Sequence, residues 1–161
     1  AQSNTWVDTV DCNPWITTLL VNLSIASGAK TSVSLKGEIV GPGIQGNIYG
    51  FDTNMVKLFE LMVDGRYLAP QAVFSMLVDT PMSLDLAAGW APTLHVGTLK
   101  EWLDVSGSEN IVASSNGKSW YCDKLREGIV IRPYDEEMTY PGLGRLILKV
   151  RSPEYLAKTD S

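Results

Sequence analysis

Four β-rich stretches follow one another along this chain, each interrupted by glycine or charged residues at a turn or a strand end. They are Gly37–Asn47 (GEIVGPGIQGN), Lys57–Leu68 (KLFELMVDGRYL), Arg126–Pro133 (REGIVIRP) and Arg145–Leu156 (RLILKVRSPEYL). Strand and helix patterns do not alternate regularly between them, which argues against a doubly wound parallel sheet. The sequence therefore predicts an α+β fold with antiparallel sheets and flanking helices.

The bulk composition bounds the class of protein. With 161 residues, 45% hydrophobic and 19% charged, the chain predicts one globular domain over residues 1–161. A net charge of −5 argues against a surface that attracts nucleic acid everywhere. No apolar run reaches membrane-spanning length, so no membrane partner is expected. Cys12 and Cys122 lack neighbouring histidines, which disfavours zinc and predicts reduced thiols in an intracellular, cytoplasmic protein.

Local patterns predict most of the secondary structure. The predicted strands are Ser32–Ile39, Met55–Val63, Gly128–Arg132 and Leu146–Val150, and the predicted helices are Trp15–Leu23, Pro70–Leu77 and Leu99–Val105. Asp64-Gly65 is typical of a hairpin turn, and Thr98 with Glu101 is typical of a capping box. The remaining expectations are a loop at Ser83–Gly89, an extended segment at Trp90–Leu94, a polar linker at Ser106–Gly117 and an acidic loop at Asp135–Tyr140.

Glu127, Lys149 and Arg151 are the first candidate site residues. Lys149 and Arg151 are two apart on a predicted strand, so both point to one face and repel each other unless an anion lies between them. A phosphate is a natural anion there, although charges that protect an edge strand explain the pair equally well. Glu127 precedes Gly128, which lets backbone or ligand approach closely, but Glu127 alone is better explained as a turn cap or as an ion pair with Arg126 or Arg132.

Glu38 and Phe59 are the second group of candidates. Glu38 lies between a strand and a glycine-rich turn, facing either a ligand or solvent. Phe59 lies in an apolar strand, where a core position is the default and a platform that stacks on a base is the alternative. His95 has no nucleophile motif near it and is expected to be structural. Asn116–Ser119 matches only the end of a phosphate-binding loop motif, so that reading is rejected.

The four stretches together resemble boxes III, IIIa, IV and V of ATP-dependent RNA ligases, in the branch that seals 3′-hydroxyl/5′-phosphate nicks. These ligases are covalent nucleotidyltransferases, like DNA ligases and capping enzymes. The resemblance implies part of a nucleotidyltransferase (ATP-grasp-like) domain that acts in RNA repair. It implies ATP and Mg²⁺ or Mn²⁺ as cofactors and RNA ends or a nicked duplex as partners.

The resemblance also implies roles for the candidate residues. Glu38 would contact the ribose or the metal's water shell, and Phe59 would stack on adenine. Glu127 would hold the metal, through water, and Lys149 would contact the α-phosphate. Arg151 stands where many relatives have a second lysine. The implied chemistry passes through lysyl-AMP and RNA-adenylate before the strand is closed.

One family motif, the Lys-x-Asp-Gly sequence that carries the nucleophilic lysine, does not occur in these 161 residues. The expectation is that a missing N-terminal segment or a second chain supplies it, and that this chain alone is inactive. Two alternatives stay open. The chain is a non-catalytic nucleotide- or RNA-binding relic of the fold, or it is a relative of DNA ligases or capping enzymes.

Overall fold

The computed structural model describes residues 5–78, 89–135 and 138–159. The chain divides into two compact units, Ala1–Ala91 with Tyr134–Glu137 and Pro92–Pro133 with Met138–Ser161. The described residues form one three-stranded and two two-stranded sheets, and every strand pair in them is antiparallel. This confirms the predicted α+β class. No helix in the described ranges is both long enough and apolar enough to span a membrane.

Among its described residues, the first unit has helices and a single three-stranded sheet. Its elements are α1 Thr5–Cys12, α2 Trp15–Ser27, β1 Val33–Val40, β2 Met55–Val63, β3 Arg66–Tyr67 and α3 Pro70–Val78. The predicted helix at Trp15–Leu23 is confirmed and extends to Ser27, where Gly28 adopts φ 62° and its N–H bonds to the carbonyl of Ile25. The sequence does not predict helix α1, because the spacing of apolar residues over Trp6–Val21 is ambiguous and Pro14 interrupts it. The chain instead forms two helices on either side of Asn13 and Pro14.

One side of the β1–β2 pair packs on helices α2 and α3 and forms the core of the first unit. The buried apolar side chains of this core are Ile16, Leu19, Leu23, Ile39, Val56, Leu58, Leu61, Val73 and Leu77. Burying one such side chain fully contributes roughly 1.5–3 kcal/mol. Because the core covers this side of the sheet, the opposite side is the one that could contact a ligand.

The Asp64-Gly65 hairpin turn is confirmed and is tied to the chain before β1. The Asp64 carboxylate accepts hydrogen bonds from the backbone N–H groups of Lys30, Thr31 and Ser32 and from the Thr31 hydroxyl. These bonds, the one from Lys30 foremost, hold the pKa of this carboxyl well below its ordinary value. The Asp64 side chain therefore joins the β2–β3 turn to the residues that precede β1.

In the second unit, the described residues form α-helices and two short antiparallel strand pairs. Its elements are α4 Leu99–Ser106, β4 Gly128–Ile131, β5 Thr139–Tyr140, β6 Gly144–Arg145, β7 Leu148–Arg151 and α5 Pro153–Thr159. The capping box is confirmed, since Thr98 and Glu101 exchange side-chain and backbone bonds. The bond from the Thr98 backbone N–H, followed by that from its hydroxyl, lowers the pKa of Glu101.

Three local predictions are wrong in this unit. The predicted linker at Ser106–Gly117 contains a 3₁₀ turn at Ala113–Ser115, and Ser114 and Ser115 are fully buried. The last strand starts at Leu148 instead of Leu146 and reaches Arg151. Within the predicted acidic loop, Thr139–Tyr140 is a strand. The rest of that loop at residues 136–137, and most of the predicted loop at Ser83–Gly89, lie outside the described residues.

Candidate functional site

The candidate site of the second unit lies on the pair of strands β4 and β7. Gly128 is opposite Arg151, and Val130 is opposite Lys149. Ile129, which alternates with these residues, is buried, whereas Val130, Lys149 and Arg151 are exposed. The prediction that the two cations share one face is therefore confirmed.

The Glu127 carboxylate lies between the two cations. Its Oε1 atom is 3.1 Å from Lys149 Nζ and 3.7 Å from Arg151 Nε. Sequence reasoning expected an anion at this position, and here the chain's own carboxylate supplies it. The expected ion pair of Glu127 is therefore made with Lys149 and Arg151, and the alternative partner Arg126 points its guanidinium elsewhere.

Gly128 explains how β4 and β7 approach each other next to Glu127. A Cβ atom placed on Gly128 would lie 2.1 Å from the carbonyl oxygen of Val150. Sequence reasoning left open whether backbone or ligand needed this space, and the structure gives it to the backbone of β7. Any larger residue would push Lys149 and Arg151 away from Glu127.

Arg126 fixes the start of β4 through main-chain bonds. Its Nε atom donates to the carbonyl of Ser115 at 3.0 Å, and its Nη2 atom donates to the carbonyls of Ser114 (3.0 Å) and Asn116. Burial lowers the pKa of this guanidinium, although an arginine stays charged in proteins. Arg126 thereby ties the residue before Glu127 to the 113–116 segment.

The same segment also holds the strand that carries the cations. Ser115 Oγ donates to the carbonyl of Arg151 at 3.1 Å, and Ser152 Oγ donates to Asn116 Oδ1 at 2.8 Å. Glu127 and Arg151 are therefore positioned by one buried polar cluster. Sequence reasoning missed this cluster because Ser114-Ser115-Asn116 has the composition of a solvated linker, and its burial depends on Arg126, ten residues further on.

The candidates of the first unit lie on the β1–β2 pair. Glu38 is directly opposite Lys57, on the side of the sheet that faces away from the core residues Ile39 and Val56. The register shifts between Lys36 and Gly37, so Phe59 is the extra residue of a β-bulge on β2. Bulges re-aim side chains and recur beside active sites. Phe59 is half-buried and Glu38 is exposed.

Lys57 is a residue of this side that sequence reasoning did not single out. Only 7% of it is exposed, and its Nζ atom lies 5.1 Å from the centre of the Phe51 ring. Burial lowers its pKa. The sign of that shift follows from desolvation, which disfavours a charged amine.

His95 lies next to Trp102, and its structural role stays a prediction. Its ring lies 6.0 Å from that of Trp102 in the second unit, and its Nε2 atom is buried with no hydrogen-bond partner among the described residues. The bonds of its neighbourhood serve the helix cap at Thr98.

The described residues offer few side-chain ligands for a divalent cation. The described residues contain no cluster of three or more histidine, cysteine or carboxylate side chains that could hold a metal ion. Mg²⁺ usually keeps several waters and binds through one or two carboxylates plus substrate phosphates. The single carboxylate of Glu127, partly exposed on an open face, fits that mode of binding and does not fit a cage of protein ligands.

Comparison with solved structures identifies the fold as that of part of an RNA ligase. The similar structures include Naegleria gruberi RNA ligase with pyrophosphate, with a TM-score of 0.66 and 23% identity over all of this chain and 42% of that chain. They also include two single-residue variants of that ligase. One is bound to AMP and manganese (TM-score 0.65, 22% identity, 98% of this chain and 41% of that one), and the other to ATP and manganese (0.65, 23%, 98% and 42%).

The chain thus spans about two fifths of the length of these structures. No family model and no curated protein matches it.

Proposed function

We propose that this chain is part of an ATP-dependent RNA ligase and supplies contacts to ATP and to a divalent metal. The observation that carries the proposal is the cluster of Glu127, Lys149 and Arg151 on the exposed face of β4 and β7. Two cations and one carboxylate match the charges of a phosphate group with its metal ion. The RNA ligase fold, and the AMP, ATP and manganese bound to the similar structures, support this assignment.

The ion pairs of Glu127 are weak enough to be exchanged. Lys149 is 60% exposed and Glu127 40% exposed, and exposed pairs of this kind contribute about 0–1 kcal/mol. When a triphosphate binds, Lys149 and Arg151 turn from the carboxylate to phosphate oxygens, and Glu127 becomes available to water molecules around Mg²⁺ or Mn²⁺. A Mg²⁺ or Mn²⁺ ion held there through water would neutralise phosphate charge, and Lys149 would stabilise the charge that develops at the α-phosphate.

The candidates of the first unit also contact nucleotide in this proposal. Phe59, half-buried at the bulge, stacks on adenine, and Glu38 accepts a hydrogen bond from the ribose or from a water molecule of the metal ion. Arg151 keeps the charge of the lysine found in many relatives. Its planar guanidinium binds two phosphate oxygens instead of one.

ATP binding in the presence of Mn²⁺, measured by titration calorimetry, tests the proposal. Lys149→Met should weaken affinity about 10- to 150-fold, because a bond to a charged group contributes roughly 1.5–3 kcal/mol. Glu127→Ala should remove the dependence of that affinity on Mn²⁺. Lys100→Met and Glu109→Gln, which change exposed charges elsewhere in the second unit, should leave binding unchanged. Wild-type affinity and metal dependence in both site variants would refute the assignment.

The second candidate is a non-catalytic nucleotide- or RNA-binding protein that retains the fold. It predicts the same ATP binding but no sealing of a nicked duplex under any reconstitution. A DNA ligase or capping enzyme would instead prefer DNA nicks or GTP, so nick and nucleotide preference separate these classes.

A further inference from the structure

A closed loop at residues 117–125, the Trp120 loop, presents a tryptophan to solvent in the second unit. Trp120 is 74% exposed. Tryptophan is highly buried on average, and exposing most of an indole ring forfeits much of its burial. An exposed tryptophan on an ordered loop is therefore a feature that calls for a physical reason.

The loop is fixed by several bonds across its base. Lys118 and Leu125 form a β-bridge, and the backbone N–H of Ser119 donates to the carbonyl of Lys124 at 2.7 Å. Lys118 forms an ion pair with Asp123. The N–H of Tyr121 donates to Ser119 Oγ at 3.2 Å. The indole is thus presented by a preorganised loop, which reduces the entropy lost when a ligand stacks on it.

The charges around the indole favour an anionic strand. The loop contains Lys118 and Lys124 against the single acid Asp123, which pairs with Lys118, although the whole chain carries −5. The guanidinium of Arg126 is bonded to main-chain carbonyls and is not counted among these cations. Aromatic rings with flanking cations are the elements with which proteins hold single-stranded nucleic acid, because bases stack on the ring and the cations face the phosphates.

The loop is also continuous with the Glu127 site. The N–H of Arg126 donates to the carbonyl of Gly117 at 2.9 Å, so Glu127 directly follows the base of the loop. The chain path through the Lys118–Leu125 bridge limits the distance between the Cα atoms of Trp120 and Glu127 to about 20 Å. A few nucleotides bridge that distance.

We propose that Trp120 is a stacking platform for an unpaired base of the RNA strand whose end is presented to Glu127, Lys149 and Arg151. The inference rests on the proposed function and specifies its RNA contact.

The 116–119 sequence, which matches the end of a phosphate-binding loop motif, has a different role here. The carbonyl of Gly117 accepts from Arg126 and closes the loop, and Asn116 Oδ1 accepts from Ser152 and ties the residue before the loop to the end of β7.

The test is binding of a fluorescently labelled single-stranded oligoribonucleotide of about ten nucleotides. Trp120→Ala should weaken binding about 5- to 150-fold, the equivalent of about 1–3 kcal/mol for one stacked base, and Trp120→Phe should restore most of it. Binding of ATP with Mn²⁺ should not change. Trp6→Ala is the matched control, because Trp6 is 58% exposed on a helix whose charged residues are Asp8 and Asp11.

The outcomes separate the two proposals. Loss of RNA binding in Trp120→Ala with ATP binding intact supports the platform. Equal RNA affinity of wild type and Trp120→Ala overturns the platform and leaves the ATP site standing, and it points to another protein as the partner of this loop. Wild-type chain that binds ATP but no RNA also overturns the platform. Wild-type chain that binds neither ligand overturns the proposed function as well.

Discussion

Glu127 illustrates how a carboxylate of the chain itself balances two neighbouring cations. In the described structure it neutralises Lys149 and Arg151, which would otherwise repel each other two residues apart on the same face. The repulsion predicted from sequence is therefore resolved inside the chain. Since the ion pairs are exposed and weak, they preorganise the cations without preventing a phosphate from replacing the carboxylate. An apolar residue at position 127 would leave the two cations to repel each other.

Asp64 gives a prediction for stability as a function of pH. Its folded-state pKa is depressed by backbone hydrogen bonds, so its contribution is fully present above the unfolded pKa of about 3.9 and is lost as the pH falls through the folded pKa. We expect Asp64→Asn to lower the urea midpoint at pH 7, and we expect its difference from wild type to shrink from pH 4 downward.

The matched control for Asp64 is Asp52→Asn, another exposed aspartate of the first unit. It lies outside the hairpin turn and should leave the urea midpoint near that of wild type at pH 7. A difference between wild type and Asp64→Asn that stays constant from pH 7 to pH 2 would contradict the role of the charged carboxylate.

At the scale of single elements, the bulge in β2 places a candidate ligand-binding residue between two core residues of the same strand. Leu58 and Leu61, on either side of it, are buried in the core, while Phe59 is half-buried. We expect Phe59→Ala to weaken ATP binding by about 1–3 kcal/mol, since that is what stacking on one base contributes. Calorimetry with ATP and Mn²⁺, together with urea unfolding, measures both quantities.

Met62→Ala is the control for this prediction, because Met62 is another half-buried apolar residue of β2. It should leave ATP affinity unchanged. If Phe59→Ala keeps its ATP affinity and loses as much stability as Leu61→Ala, Phe59 is a packing residue and the stacking role is wrong.

In the second unit, the hydrogen bonds of Arg126 hold the 113–116 segment next to the start of β4. Arg126→Ala leaves three carbonyl groups without their donor, so we expect a loss of about 2–4 kcal/mol of unfolding free energy. Arg126→Lys should recover only part of it, because one ammonium group cannot reach three carbonyls in the geometry of a guanidinium. Urea unfolding followed by circular dichroism measures the effect, with Arg66→Ala as an exposed control. Equal stabilities of the lysine variant and wild type would contradict this account.

At the scale of the whole molecule, the sequence predicted what short-range rules determine. The β2 strand, the Asp64-Gly65 turn, the capping box and the shared face of Lys149 and Arg151 depend on neighbours within a few positions. Burial of Ser114 and Ser115 depends on Arg126, and burial of Lys57 depends on Phe51 from a preceding loop. These residues are polar or charged, so their local sequence predicts exposed positions and does not predict their burial. The Glu127 ion pairs reach a strand about twenty residues later in the chain, so local pattern alone did not suggest Lys149 and Arg151 as partners.

The chemistry proposed for the whole molecule depends on a nucleophilic lysine, and this gives the last prediction. Incubated with radiolabelled ATP and Mn²⁺, the 161-residue chain should bind ATP but form no covalent AMP adduct on a denaturing gel, because it contains no Lys-x-Asp-Gly sequence. Addition of a segment that carries this motif should produce a labelled band and sealing of a nicked RNA duplex, and Lys149→Met should lower that labelling. A labelled band from the chain alone would mean that one of its own lysines attacks the α-phosphate. Absence of sealing after addition would favour the non-catalytic binding protein.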